Sequence, residues 1–309
     1  MKKSHIYPAK PFIKWAGGKT QLLNDIKKSL PHDFSQRDEV TYVESFVGGG
    51  SVLFWILQEY PNITKAVIND INAELICTYR AVKNNVESLI SELNRLQTEY
   101  LSLDEAGRKE YFLTQREFFN KKKTSDVETA ALFIFLNRTC FNGLYRVNSK
   151  GMFNVPHGRY AHPKICDEGT LRADSIVLQK VEILCGDFSQ TGKYANDNVL
   201  YYLDPPYRPL TSTSAFTSYA KEGFNDTEQM RLRDFCKQIA KHKSLFVASN
   251  SDPQNVNNDD KFFDRLYNMF YIKRVSAARM INSKGNGRGT TTEIMISNDV
   301  NAYCYERFR

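Results

Sequence analysis

The chain has 309 residues, 41% hydrophobic and 25% charged, with a net charge of +7; this fits a soluble globular protein of one large or two joined domains and excludes a small stapled scaffold. No apolar stretch approaches the ~20 residues of a membrane-spanning helix, and the N-terminal MKKSHIYPAK lacks the apolar middle of a secretory signal, so a cytoplasmic protein with no membrane partner is expected. Six scattered cysteines, without CxxC or a Cys/His pair at zinc spacing, predict reduced thiols, no disulfide and no metal.

Gln21 to Leu30 carries helical spacing, and Thr41 to Phe46 reads as a short strand running into Gly48, Gly49 and Gly50, with a helix from Ser51. Strand, glycine turn and helix suit a nucleotide-type ligand, because bare backbone can approach it at a helix N-terminus. A dinucleotide fingerprint would need glycine at position 53, which is Leu53, so NAD is disfavoured while a nucleoside cofactor stays open. Lys65 to Asn69 is a second buried strand closed by Asp70, an acid placed some ~20 residues on to accept ribose hydroxyls.

Helical spacing then covers Asn72–Lys83, Val86–Tyr100, Ala106–Asn120 and Asp126–Asn137. From Thr139 to Pro163, Gly, Asn, Pro and aromatic residues read as a long irregular loop or small hairpin. Strands follow at Val181–Leu184, Val199–Leu203, Ser244–Ala248, Ile272–Ala278 and Glu293–Ser297, with helices at Asp226–Ala240 and Lys261–Tyr267. The alternation predicts an α/β fold with a doubly wound, Rossmann-like core from residues 1–71 and 175–309, interrupted by a helical module at 72–174. Ligands of such sheets bind beyond the carboxyl ends of the strands.

Leu203-Asp204-Pro205-Pro206-Tyr207 closes an apolar strand and is the most specific feature. Two prolines donate no N–H, so the chain leaves the sheet stiffly and Asp204 with its carbonyls faces a pocket. Carboxylate and carbonyl can accept the two hydrogens of an exocyclic amine while Tyr207 stacks on the ring that bears it. Three segments, 1–24, 129–166 and 265–292, hold sixteen of the 42 lysines and arginines and none of the 35 acids. Such segregation is expected of a surface that tracks phosphates.

With these motifs the chain resembles the adenine-specific DNA methyltransferases of the alpha group (D12 class), similar to the Dam and DpnII-type enzymes that modify GATC. The matching pieces, in the same order, are Phe12-Ile-Lys-Trp-Ala-Gly-Gly-Lys19, Glu44-Ser-Phe-Val-Gly-Gly-Gly50, Asn69-Asp70, Gly186-Asp187-Phe188 and Asp204-Pro-Pro-Tyr207. Phe141-Asn-Gly-Leu-Tyr-Arg146, Phe153-Asn-Val-Pro156, Gly158-Arg-Tyr160 and Ala215-Phe-Thr-Ser-Tyr219 extend the likeness over nearly the whole chain. Ser45 departs from the family, which usually has proline there.

The resemblance implies methylation of adenine in double-stranded DNA, with S-adenosyl-L-methionine as cofactor. Trp15, Lys19, Phe46, Gly48 and Gly50 would line the cofactor site; Asp70 would hold the ribose, Asp187 and Phe188 the adenine, and Asp204 the amino-acid end. Asp204, Pro205, Pro206 and Tyr207 would be catalytic. The segment 72–174 would be the target-recognition domain, with Lys14 and Arg146 on guanine edges, Phe141, Asn142 and Leu144 at the opened base pair, Pro156 at the outer pair, and Arg159 beside them. A monomer is expected, with any cognate restriction enzyme acting in the same system without direct contact. Two other readings stay open: an RNA or protein-amide methyltransferase, and a DNA-binding relative without catalysis.

Overall fold

Every residue of Val199–Leu203 is buried, as a strand covered on both faces requires. The computed structural model describes residues 7–121, 125–209, 224–277 and 291–299. In chain order they form α1 (Leu23–Lys28), β1 (Val40–Glu44), α2 (Ser51–Glu59), β2 (Ile63–Asp70), α3 (Ala73–Asn84), α4 (Val86–Leu101), α5 (Glu105–Lys121), α6 (Asp126–Thr139), α7 (Glu168–Leu178), β3 (Val181–Cys185), β4 (Val199–Leu203), α8 (Asp226–Lys241), β5 (Leu245–Ser251), α9 (Phe262–Leu266), β6 (Tyr271–Ala277) and β7 (Thr291–Ser297).

The strands form one seven-stranded sheet in the order β3-β2-β1-β4-β5-β7-β6. β1 pairs in parallel with β2 and β4, and β4 with β5, while β7 runs antiparallel to β5 and β6. The strand order reverses between β1 and β4, so the core is Rossmann-like and doubly wound, and β1 and β4 flank its switch point.

The chain divides into two compact units: Met1–Gly18, Val47–Glu59 and Asn69–Asp187 form one, and Lys19–Phe46, Tyr60–Ile68 and Phe188–Arg309 the other. In the first unit α6 is buried along its whole middle, Ala130 to Asn137. A helix apolar on every face belongs inside a bundle, and α3, α4 and α5 pack on it. Its start is fixed by a capping box in which Ser125 and Glu128 each accept the other's backbone N–H.

Two elements differ from expectation. The helix predicted over Gln21–Leu30 is a 3₁₀ turn at Thr20–Leu22 followed by α1, which stops at Lys28; Pro31 disfavours the helical conformation at Leu30. Helix α7 has no counterpart in the sequence reading. Its buried face is Thr170, Leu171, Asp174, Ser175 and Leu178, too polar to give an apolar period. The Thr139–Pro163 segment is tied as a hairpin by bridges between Cys140 and His157 and between Val147 and Phe153.

Candidate active site

In the first unit the turn after β1 carries Gly48 at φ 47° and Gly50 at φ 74°, conformations that favour glycine. A Cβ on Gly48 would lie 2.9 Å from the Trp15 ring and one on Gly50 2.5 Å from the Tyr79 hydroxyl, so the turn also needs glycine for close packing. Asp70, at the end of β2, holds this turn: Oδ2 accepts the Gly48 N–H at 3.1 Å and Oδ1 the Asn72 N–H at 2.9 Å. Burial raises its carboxyl above the ordinary value, and these backbone N–H groups draw it part of the way back. Trp15 stacks on Tyr145 with ring centroids 5.6 Å apart. Asp187, past β3, is exposed.

The same unit brings together the residues expected to read DNA. Asn137 joins them: its Oδ1 accepts the Lys14 N–H at 2.8 Å, and its Nδ2 donates to Lys14 O at 2.8 Å and Gly143 O at 2.9 Å. The N-terminal segment is thereby pinned to the Phe141–Leu144 turn. Phe141, Asn142, Lys14, Arg146, Pro156 and Arg159 are exposed and Leu144 half-buried. The Phe141 N–H donates to Pro156 O at 2.8 Å. Arg146 is oriented by Asn154, whose Oδ1 accepts Nε at 2.8 Å and whose carbonyl accepts Nη2 at 3.3 Å.

In the second unit β4 delivers Asp204. Its Oδ1 is 3.1 Å from Lys19 Nζ, a lysine only 5% exposed, and accepts the Ser249 hydroxyl at 2.8 Å. The Tyr202 hydroxyl reaches that serine at 3.2 Å. Burial pushes the Asp204 carboxyl above the ordinary carboxylate value; the Lys19 ammonium and the serine oppose that push. Lys19 Nζ also lies 4.4 Å from the centroid of the Tyr207 ring, and the Tyr207 hydroxyl donates to Glu293 Oε2 at 2.5 Å. Pro206 O accepts from Gln229 Nε2 at 3.3 Å, which fixes the turn beyond the strand. Phe46 and Phe188 form a ring pair with centroids 5.3 Å apart.

Ser249, Tyr202, Glu293, Asn137 and Asn154 were not singled out from the sequence. Glu293 carried a signal: it is the acid that ends the third acid-free segment. The segregation of basic residues along the chain also carries over only in part. Lys19 pairs with Asp204, Lys164 with Asp167, and Arg274 with Asp252 and Asp264; Arg138 is spent on Phe12 O. Lys2, Lys3, Arg279, Lys284, Arg288 and the Ala215–Tyr219 motif lie outside the described residues.

A strand-end acid followed by two prolines and an aromatic ring thus stands at a carboxyl end of a doubly wound sheet, where the ligands of such folds bind. The family profile described as D12 class N6 adenine-specific DNA methyltransferase matches residues 15–281. The type II methyltransferase M.MjaIII of Methanocaldococcus jannaschii is 50% identical over 281 residues, covering 90% of this chain and 95% of that one. M1.LlaDCHI of Lactococcus lactis is 41% identical over 294 residues, covering 94% and 95%, and the DNA adenine methylase of Haemophilus influenzae 34% identical over 286 residues, covering 93% and 92%. The chain belongs to the D12 class of N6 adenine-specific DNA methyltransferases: it is an enzyme that methylates adenine in DNA.

Proposed function

We propose that the enzyme transfers a methyl group from S-adenosyl-L-methionine to the exocyclic amino nitrogen of adenine in duplex DNA, within GATC. The observation that carries this reading is the Asp204 carboxylate, clamped through Oδ1 by Lys19 and Ser249 at the head of a turn whose prolines donate nothing. Oδ2 and the Pro205 carbonyl then accept the two amino hydrogens, which aims the nitrogen lone pair away from the protein. The carboxylate offsets the positive charge that develops on nitrogen as it is methylated. Tyr207 offers a ring face to the base.

The side chains fit the cofactor. Within the first unit the Asp70 carboxylate accepts three backbone N–H groups and keeps acceptor capacity for a ribose hydroxyl, Asp187 is exposed to accept from an adenine amine, and Trp15 backs the Gly48–Gly50 turn. Within the second unit Phe46 and Phe188 supply an apolar ring surface, and Lys19 fixes Asp204. When bound, S-adenosyl-L-methionine supplies a methyl group on a positively charged sulfur. Residues 72–174 form the recognition module in this reading. Arg146 spends its Nε–Nη2 edge on Asn154, which leaves the Nη1/Nη2 end for O6 and N7 of a guanine, and Lys14 reads the opposite outer pair. Phe141, Asn142 and Leu144 support the opened pair, with Pro156 and Arg159 at its margin.

Sequencing of DNA methylated by the wild type and by Asp204→Ala tests the reading. Wild type should mark adenine in GATC, and the variant should lose methylation while still binding DNA. Turnover by Asp204→Ala within about tenfold of wild type would remove Asp204 from the reaction, and marks at another sequence would remove GATC.

A further inference from the structure

Glu293 belongs to no motif that carries the family resemblance, yet its carboxylate receives the hydroxyl of Tyr207 at 2.5 Å. The backbone at Glu293 is held on both sides: it is in register with Ser251 of β5 and with Val275 of β6. A slip of one residue would turn its side chain to the other face of the sheet, so the carboxylate is placed by two antiparallel ladders rather than by a loop. At the other end Tyr207 is constrained by Lys19, whose ammonium lies 4.4 Å from the ring centroid and 3.1 Å from Asp204 Oδ1. One face of the ring is therefore covered by a cation that is itself tied to the carboxylate, and the hydroxyl is tied to Glu293. A phenyl ring in this turn would keep the first constraint and lose the second.

We infer that Glu293 is a positioning residue for methyl transfer: it anchors the Tyr207 hydroxyl so that the ring plane is fixed and the face opposite Lys19 is presented to the adenine. The inference rests on the proposed role of Tyr207 as the platform for the target base. The Tyr207 hydroxyl also supports the Asp204 carboxylate, so Glu293 fixes where that hydroxyl lies as well as the ring that carries it, which accounts for an acid on β7 beside a group that already faces Asp204. Misplacement of a stacking surface slows the reacting geometry more than it weakens attachment to the DNA backbone, so the deficit belongs in the rate of the bound complex.

Single-turnover methylation by Tyr207→Phe, Glu293→Ala, Glu293→Gln and the Tyr207→Phe/Glu293→Ala pair tests this. Tyr207→Phe and Glu293→Ala should each slow the step about tenfold or more with KM for DNA changed less than about threefold, and the pair should be no slower than the slower single variant, because both remove one interaction. Glu293→Gln keeps an acceptor oxygen and should recover to within about threefold of wild type. A near-normal rate for Tyr207→Phe, additive losses in the pair, or a loss confined to KM would overturn the inference. Because Tyr207→Phe also removes the hydroxyl's support of Asp204, Glu293→Thr, which suits a strand and cannot reach the hydroxyl, takes the place of Glu293→Ala if that variant does not fold. Asp204→Ala in the same assay separates the two levels: an active Asp204→Ala defeats the proposed site itself, whereas an inactive Asp204→Ala beside near-normal Tyr207→Phe and Glu293→Ala defeats only the role of Glu293.

Discussion

At the scale of single residues the proposed chemistry turns on how a half-buried carboxylate stays charged. Burial alone raises Asp204, and Lys19 is the first of the groups that oppose it. A carboxylate whose folded-state value is raised is charged only above that value, so amine recognition by Asp204 should fail as pH drops through it. Lys19→Met removes the ammonium and leaves burial less opposed. The acid limb of the methylation rate, measured at saturating cofactor and DNA, should move to higher pH. An unmoved limb would mean that the group titrating in the rate is another one. Of the residues in this cluster, Asp204 and Tyr207 were legible in the sequence because DPPY is contiguous. Ser249 and Glu293 were not, since β5 and β7 bring them in from 45 and 86 positions along the chain and nothing local marks a strand residue that supports a distant turn.

At the scale of elements the legible ones are those whose burial is carried by apolar side chains. The strand β4 matches its expected ends, and α3 and α4 follow from Leu, Ile and Tyr recurring with a clear period, whereas α6 follows from a long apolar run that is buried on every face. Helix α7 was missed because it buries Thr170, Asp174 and Ser175. Asp174 accepts the Lys10 N–H at 2.9 Å through Oδ1, while Oδ2 is buried with no hydrogen-bond partner among the described residues. Burial pushes its carboxyl up to about 8. Since the unfolded value is about 4, the folded state holds the proton more tightly, and stability is full below about pH 4 and lost as pH rises towards 8. Asp174→Asn keeps an acceptor for Lys10 and carries no charge. It should therefore match wild type near pH 4 and be more stable by about 1–3 kcal/mol near pH 8.5. Denaturant unfolding at the two pH values checks this, and an equal difference at both would show that Asp174 is not protonated in the fold.

At the scale of the whole molecule the question is which positive charges meet DNA. Sequence showed sixteen basic residues in acid-free segments, but acids outside those segments neutralise several of them: Asp204, far along the chain, pairs with Lys19 at 3.1 Å, and Asp167, just past the segment's end, with Lys164 at 2.8 Å. Lys150 lies in the same acid-free segment, is exposed, and sits on a turn where Asn148 Oδ1 accepts both the Lys150 and Met152 N–H groups. A lysine already facing a carboxylate releases few counterions from DNA, whereas one facing solvent releases about one for each phosphate it neutralises. Lys150→Ala should thus weaken binding by a similar factor on GATC and unrelated duplexes and flatten the slope of log affinity against log salt by about 0.9. Lys164→Ala should leave the slope nearly unchanged, although both variants remove one charge from the same segment. Arg146→Ala, in contrast, should spread methylation to sites altered at one outer base pair, at a cost of about 1–3 kcal/mol in discrimination. Fluorescence anisotropy over a range of salt, with GATC and scrambled duplexes, separates these outcomes. Equal slope changes for Lys150→Ala and Lys164→Ala would mean that net charge alone, and not the pairing of each lysine, sets the attraction to DNA.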